Sequence, residues 1–120
     1  MARYHFRDLR PDVFQAVETH VSAAISAIEE LVEGDVIGRL DGVLADVRAV
    51  LAHLYSVRHD IEPRDFPVDV RPFIRSQHSA LQFHSWVFER FLERAHVATL
   101  EEFSCLKVGL GLLRDVVAKP

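Results

Sequence analysis

Seven histidines, one cysteine and a set of glutamates are the side chains of this sequence with chemistry to offer. A metal ion bound on a helix needs ligands three or four positions apart, so that they share one face. Neither a His-x-x-x-His nor a His-x-x-x-Glu step occurs. A carboxylate-bridged two-metal centre in a helical bundle takes two Glu-x-x-His pairs and two further Glu, and here one such pair is present, Glu93 with His96. The pairs His53/His59 and His78/His84 are each six apart, which turns the second ring about 120° off the first. No metal site and no cofactor is expected. Cys105 is alone, so neither an internal disulfide nor a multi-cysteine metal knuckle can form, and on the flank of an apolar helix it reads as inert packing rather than a nucleophile. Phosphate-binding glycine patterns are missing, and Gly109-Leu110-Gly111 lies inside a helical pattern with no strand before it.

The stretch Arg48-Ala49-Val50-Leu51-Ala52-His53-Leu54-Tyr55 fits the pattern R-x4-H-x-Y. It resembles the signature of HEPN-type ribonuclease toxins, small helical bundles that dimerise to form a composite RNA-cleaving site. The resemblance implies that Arg48 and His53 act on the scissile phosphate, with Tyr55 beside them. The residue after the arginine is commonly polar in that family and is Ala49 here. On a straight helix Arg48 and His53 lie about 140° apart, with His53 turned towards solvent.

The elements that must position these groups are helices. The stretch 71–96 carries Phe73, Phe83, Phe88, Phe91 and the sole tryptophan, Trp86. Wound at about 100° per residue, it gathers Val70, Phe73, Ile74, Gln77, Ala80, Leu81, His84, Val87, Phe88, Phe91, Leu92 and Ala95 on one broad face. Gln77 and His84 are polar members of that face. A buried polar side chain without a partner costs about 1–3 kcal/mol, so the pair is either satisfied within the core, fixing helix register, or lines a small-ligand pocket. Phe83 and Trp86 fall opposite, beside Ser79, Arg90 and Glu93. Large exposed aromatics mark partner surfaces, and tryptophan is a preferred anchor. They point to a homodimer interface, unless the N-terminal arm or the 60–69 connection covers them.

Along the chain, residues 1–10 form an arm in which Arg3, Arg7 and Arg10 alternate with Tyr4, His5 and Phe6. Such an arm can dock on its own bundle or contact phosphates and bases. A helix over 11–33 follows, with Phe14, Val17, Val21, Ala24, Ile28 and Leu31 as its stripe, flanked by Ile25 and Val32. Pro11 suits its first turn and Gly34 its end. A second helix over 36–58, with Asp35 as N-cap, carries one row at Leu40, Leu44, Val47, Leu51 and Leu54 and another at Val36, Val43, Val50 and Val57. Pro63 and Pro67 break the chain over 60–69, a crossover or a lid. The third helix spans 70–96. Thr99 to Glu102 reads as a capping box opening a fourth helix over 100–118, with Phe103, Leu106, Leu110, Leu113 and Val117 inward. Its second row, Cys105, Val108, Leu112 and Val116, makes the apolar arc wider than one partner requires, which adds Val108 and Leu112 to the interface with Phe83, Trp86 and Arg90.

The predicted fold is all-α, a single-domain antiparallel up-down-up-down four-helix bundle with a short N-terminal arm. The 120 residues suffice for one core, and 49% hydrophobic with 27% charged residues is the balance of a folded soluble domain. No apolar run approaches the roughly 18 residues that span a bilayer, and the first residues lack a signal-peptide core, so the expected compartment is the cytoplasm. A net charge of -4 argues against nucleic acid as a partner. The leading expectation is a non-enzymatic interaction or accessory protein, homodimeric through the third and fourth helices, with an unidentified protein as a further partner. The alternatives are a ribonuclease using Arg48 and His53, and a small-ligand binder with Gln77 and His84.

Overall fold

The chain is described as a computed structural model over residues 6–31 and 36–118, with backbone alone for 31, 36–39, 96 and 118. Gly34, Asp35 and Val32, with the side chains of Leu31 and Val36, fall outside that description, as do Arg3, Tyr4 and His5 of the arm. Among the described residues the structure is helical, without strands. A four-residue α1 (Phe6–Leu9) precedes four long helices, α2 (Pro11–Leu31), α3 (Val36–Asp60), α4 (Arg71–Glu93) and α5 (Leu100–Ala118), with 3-10 turns at Pro63–Asp65 and Ala95–Val97. The third and fourth sequence helices are thus α4 and α5. No helix among the described residues is long and apolar enough to cross a membrane.

Helical periodicity accounts for the core. On α2, Val13, Phe14, Val17, Val21, Ala24, Ile25 and Ile28 are all buried, an arc wide enough for two neighbours. They are α3 and α5, and α4 in turn packs on α3 and α5, so each long helix has two long partners. On α3, Val43, Val47, Val50 and Val57 are buried with Leu51 and Leu54. Valine loses side-chain freedom in a helix, so α3 owes its stability to that packing rather than to propensity. On α5 the buried row is Phe103, Leu106, Leu110, Leu113 and Val117. The Cα atoms extend 51 × 22 × 18 Å, about two helices wide in each short direction.

The helix ends show how local chemistry sets the boundaries. α4 stops at Glu93, where Arg94 leaves the helical region (φ -115°, ψ 9°). The chain tightens there, Arg94 N–H bonding the Phe91 carbonyl (3.0 Å) and Val97 N–H the Arg94 carbonyl (3.0 Å). Thr99 Oγ1 then accepts the Glu102 N–H (3.2 Å) and caps α5. The reciprocal half of the box differs from expectation, because the Glu102 carboxylate turns to Arg94 (3.9 Å). In the 60–69 connection, Ile61 is buried and Phe66 packs partly against the core. Arg71 Nε–H donates to the Phe66 carbonyl (3.0 Å) and ties the segment to the start of α4.

One assignment on α4 needs correction. Phe73, placed on the core face by its angle, is 54% exposed. It sits at the edge of the arc in the first turn, where Phe6 of α1 fills the core beside Gln77 and His78. Ser85 lies on the opposite edge and is buried. Its hydroxyl donates to the Leu81 carbonyl one turn back (2.8 Å), so its burial leaves no polar group unmet.

Candidate functional site

Three groups of side chains stand out, and the first lies where α1 meets α4. The Phe6 N–H is an unpaired donor at a helix start, and Gln77 Oε1 accepts it at 2.8 Å. Gln77 Nε2–H also approaches the Phe73 carbonyl (3.5 Å). The Phe6 ring, 2% exposed, stands edge-on to His78 with centroids 5.5 Å apart, and His78 Nε2–H donates to the Ile61 carbonyl. Arg10, the hinge between α1 and α2, is ion-paired with Asp60 at the end of α3. That guanidinium, and then His59, holds the Asp60 carboxyl below its usual pKa. A cavity of about 30 Å³ remains between Phe6, Phe14, Gln77, Leu81 and Val117. It has room for a water or two, against the roughly 300 Å³ or more of a ligand site.

His84 lies two turns beyond Gln77 and outside the lining of that cavity. Its ring is buried, edge-on to Phe83 (5.7 Å) and stacked on Phe88 (6.3 Å). Burial pushes its pKa below that of a free imidazole, because the charged form is poorly solvated there.

The second group is the α2–α3 seam. Asp46 Oδ1 can only accept, so His20 Nδ1 carries the proton it shares with Asp46 across 2.9 Å. The His53 ring stacks on His20, with centroids 6.0 Å apart and planes at 26°. The structure therefore brings His53 to another histidine, whereas Arg48 is exposed on a different side of α3. Tyr55 is also exposed and lies under the Arg58 guanidinium (5.7 Å). Among the described residues no three His, Cys, Asp or Glu side chains gather into a metal-binding set, and Cys105 is exposed.

His20 and Asp46 were not legible as partners. Each sits at the edge of an apolar stripe, His20 before Val21 and Asp46 before Val47. Their meeting depends on the register between two helices, which neither stripe states alone.

The third group is the outer face of α4 and α5. Phe83 is 60% exposed and Trp86 55%, while on α5 Val108 is 63% and Leu112 54% exposed. The two helices are in direct contact: Phe91 meets Phe103 edge-on (5.1 Å), and a Cβ built on Gly109 would lie 3.7 Å from the Phe88 ring. Arg90 lies over the Trp86 ring (5.6 Å), which fixes the indole by a cation–π contact. No protein-family model, curated protein or solved structure matches the chain.

Proposed function

We propose that this chain is a single-domain, antiparallel up-down-up-down four-helix bundle that works in the cytoplasm as a non-enzymatic interaction or accessory module. In this reading it is a homodimer through α4 and α5. The antiparallel course is supported by pairs whose numbers run in opposite directions: Arg10 with Asp60 and His20 with Asp46 between α2 and α3, Phe88 with Gly109 and Phe91 with Phe103 between α4 and α5. The observation that carries the interface is the exposure of Phe83, Trp86, Val108 and Leu112 on adjacent helices. A surface that keeps a tryptophan and a phenylalanine in water gains by covering them. Sedimentation equilibrium tests the reading. Wild type sediments at twice 13.7 kDa, and Trp86→Ala weakens the dimer by about 30-fold or more, the scale of an interface anchor. A monomeric wild type, or an unchanged dimer in the variant, refutes it.

The ribonuclease reading has one specific observation in its favour. His53 stacks on a histidine held by Asp46, an arrangement suited to moving protons. RNA cleavage by wild type that is lost in His53→Ala supports it, and cleavage that persists in the variant removes it.

A further inference from the structure

An interface between two copies related by a two-fold axis must be complementary to itself, and the outer line of α4 meets that condition in one orientation. Arg75 and Glu93 are 18 positions apart, five full helical turns, so they stand on the same line of the helix about 27 Å apart. Both are exposed, and neither forms an ion pair among the described residues. Of the nearby charges on α4, Arg90 lies on the Trp86 ring and Arg94 turns towards Glu102, while Glu89 is half-buried. The midpoint of the line falls at residue 84, between Phe83 and Trp86. The contact of Phe88 with Gly109 puts Leu112 of α5 at the same level.

We infer that two copies pair α4 against α4 in antiparallel register, with the two-fold axis passing beside Phe83, Trp86 and Leu112 and Arg75 of each copy meeting Glu93 of the other. The inference rests on the reading of the α4–α5 face as a dimer interface and adds its geometry. A two-fold axis parallel to the helices would instead set Arg75 against Arg75 and Glu93 against Glu93. The charge pattern opposes that arrangement and favours the antiparallel one twice over. Arg75 and Glu93 lie on the side of α4 away from α5, so they form a polar rim, while Phe83 and Leu112 fill the centre.

Charge reversal tests the register by sedimentation equilibrium at low salt, where exposed pairs are least screened. Arg75→Glu alone sets two carboxylates against each other at both ends of the pairing, and Glu93→Arg alone sets two guanidinium groups against each other there. Each is expected to weaken the dimer on the order of tenfold. Mixing the two variants in equal amounts restores association to near the wild-type level, because the heterodimer sets the two acidic positions of one chain against the two basic positions of the other, and the double reversal in one chain, which likewise regains both opposite-charge contacts, restores it too. A wild-type dimer that both single reversals leave unchanged, or a double reversal that recovers nothing, overturns the register while the interface stands. A wild-type monomer instead removes the interface reading itself.

Discussion

Replacing Phe6 by alanine tests whether α1 is a docked plug or a passive end of the chain. Phe6 is 2% exposed, its N–H is bonded to Gln77, and its ring meets His78. In a rigid core a Phe-to-Ala change costs about 3–5 kcal/mol, because the cavity persists. Here α1 has four residues and can leave instead, so the cost is capped at the free energy of docking, about 2–3 kcal/mol from burial of one phenyl ring. Gln77→Ala acts on the same equilibrium. It strips the Phe6 N–H of its acceptor, at about 1–3 kcal/mol if α1 stays in place, and so favours undocking. Either substitution frees α1, so the double variant is expected to cost little more than Phe6→Ala alone, whereas independent sites add. Urea unfolding of the three variants gives the energies. Amide exchange gives the mechanism: the Arg10 N–H, bonded to the Phe6 carbonyl at 2.9 Å, is expected to exchange faster in both single variants, more than the amides of Val47 and Val50. Additive costs, or a loss below about 0.5 kcal/mol for Phe6→Ala, would refute the plug.

Other consequences can be checked on the same preparations. His84 is buried with a lowered pKa, so as pH falls the unfolded chain takes up its proton first, near the ordinary 6.5. Its contribution to stability is present above that pH and declines below it; the fall in urea midpoint from pH 8 to pH 5 is therefore smaller in His84→Leu than in wild type, and an equal fall contradicts the burial argument. A Cβ on Gly111 or Gly42 meets nothing within 4 Å, so Gly111→Ala and Gly42→Ala each stabilise by about 0.5–1 kcal/mol through helix propensity. A lower thermal midpoint in either is the opposing result. Thr99→Ala removes the acceptor for the Glu102 N–H and costs about 1 kcal/mol, read from the same melts; no loss means that water caps α5 equally well.

What could be read in the sequence follows the strength of each periodic signal. The stripes of α2 and α5 contain regular rows at spacings of 3 and 4, and the members of those rows from Phe14 to Ile28 and from Phe103 to Val117 are buried. The arc of α4 is broad, and its edges are decided by neighbours rather than by angle: Phe73 is exposed and Ser85, one turn from Leu81, is buried. α1 is too short to show a period, so the partner of Gln77, a backbone N–H, had no signature. The contact of His20 with Asp46 required the register of α2 on α3. Phe83 and Trp86 were legible because they break a clean stripe, and the rotation that excludes them from the core is fixed by the residues on either side.

Trp86 is the sole tryptophan and stands on the face at issue, so its fluorescence reports directly on whether that face is covered. Acrylamide quenching of wild type across a dilution series is the deciding measurement. A shielded indole is expected at high concentration, becoming more readily quenched on dilution in step with the fall in mass from dimer to monomer. A tryptophan equally quenched at every concentration, while the mass stays that of one chain, contradicts it.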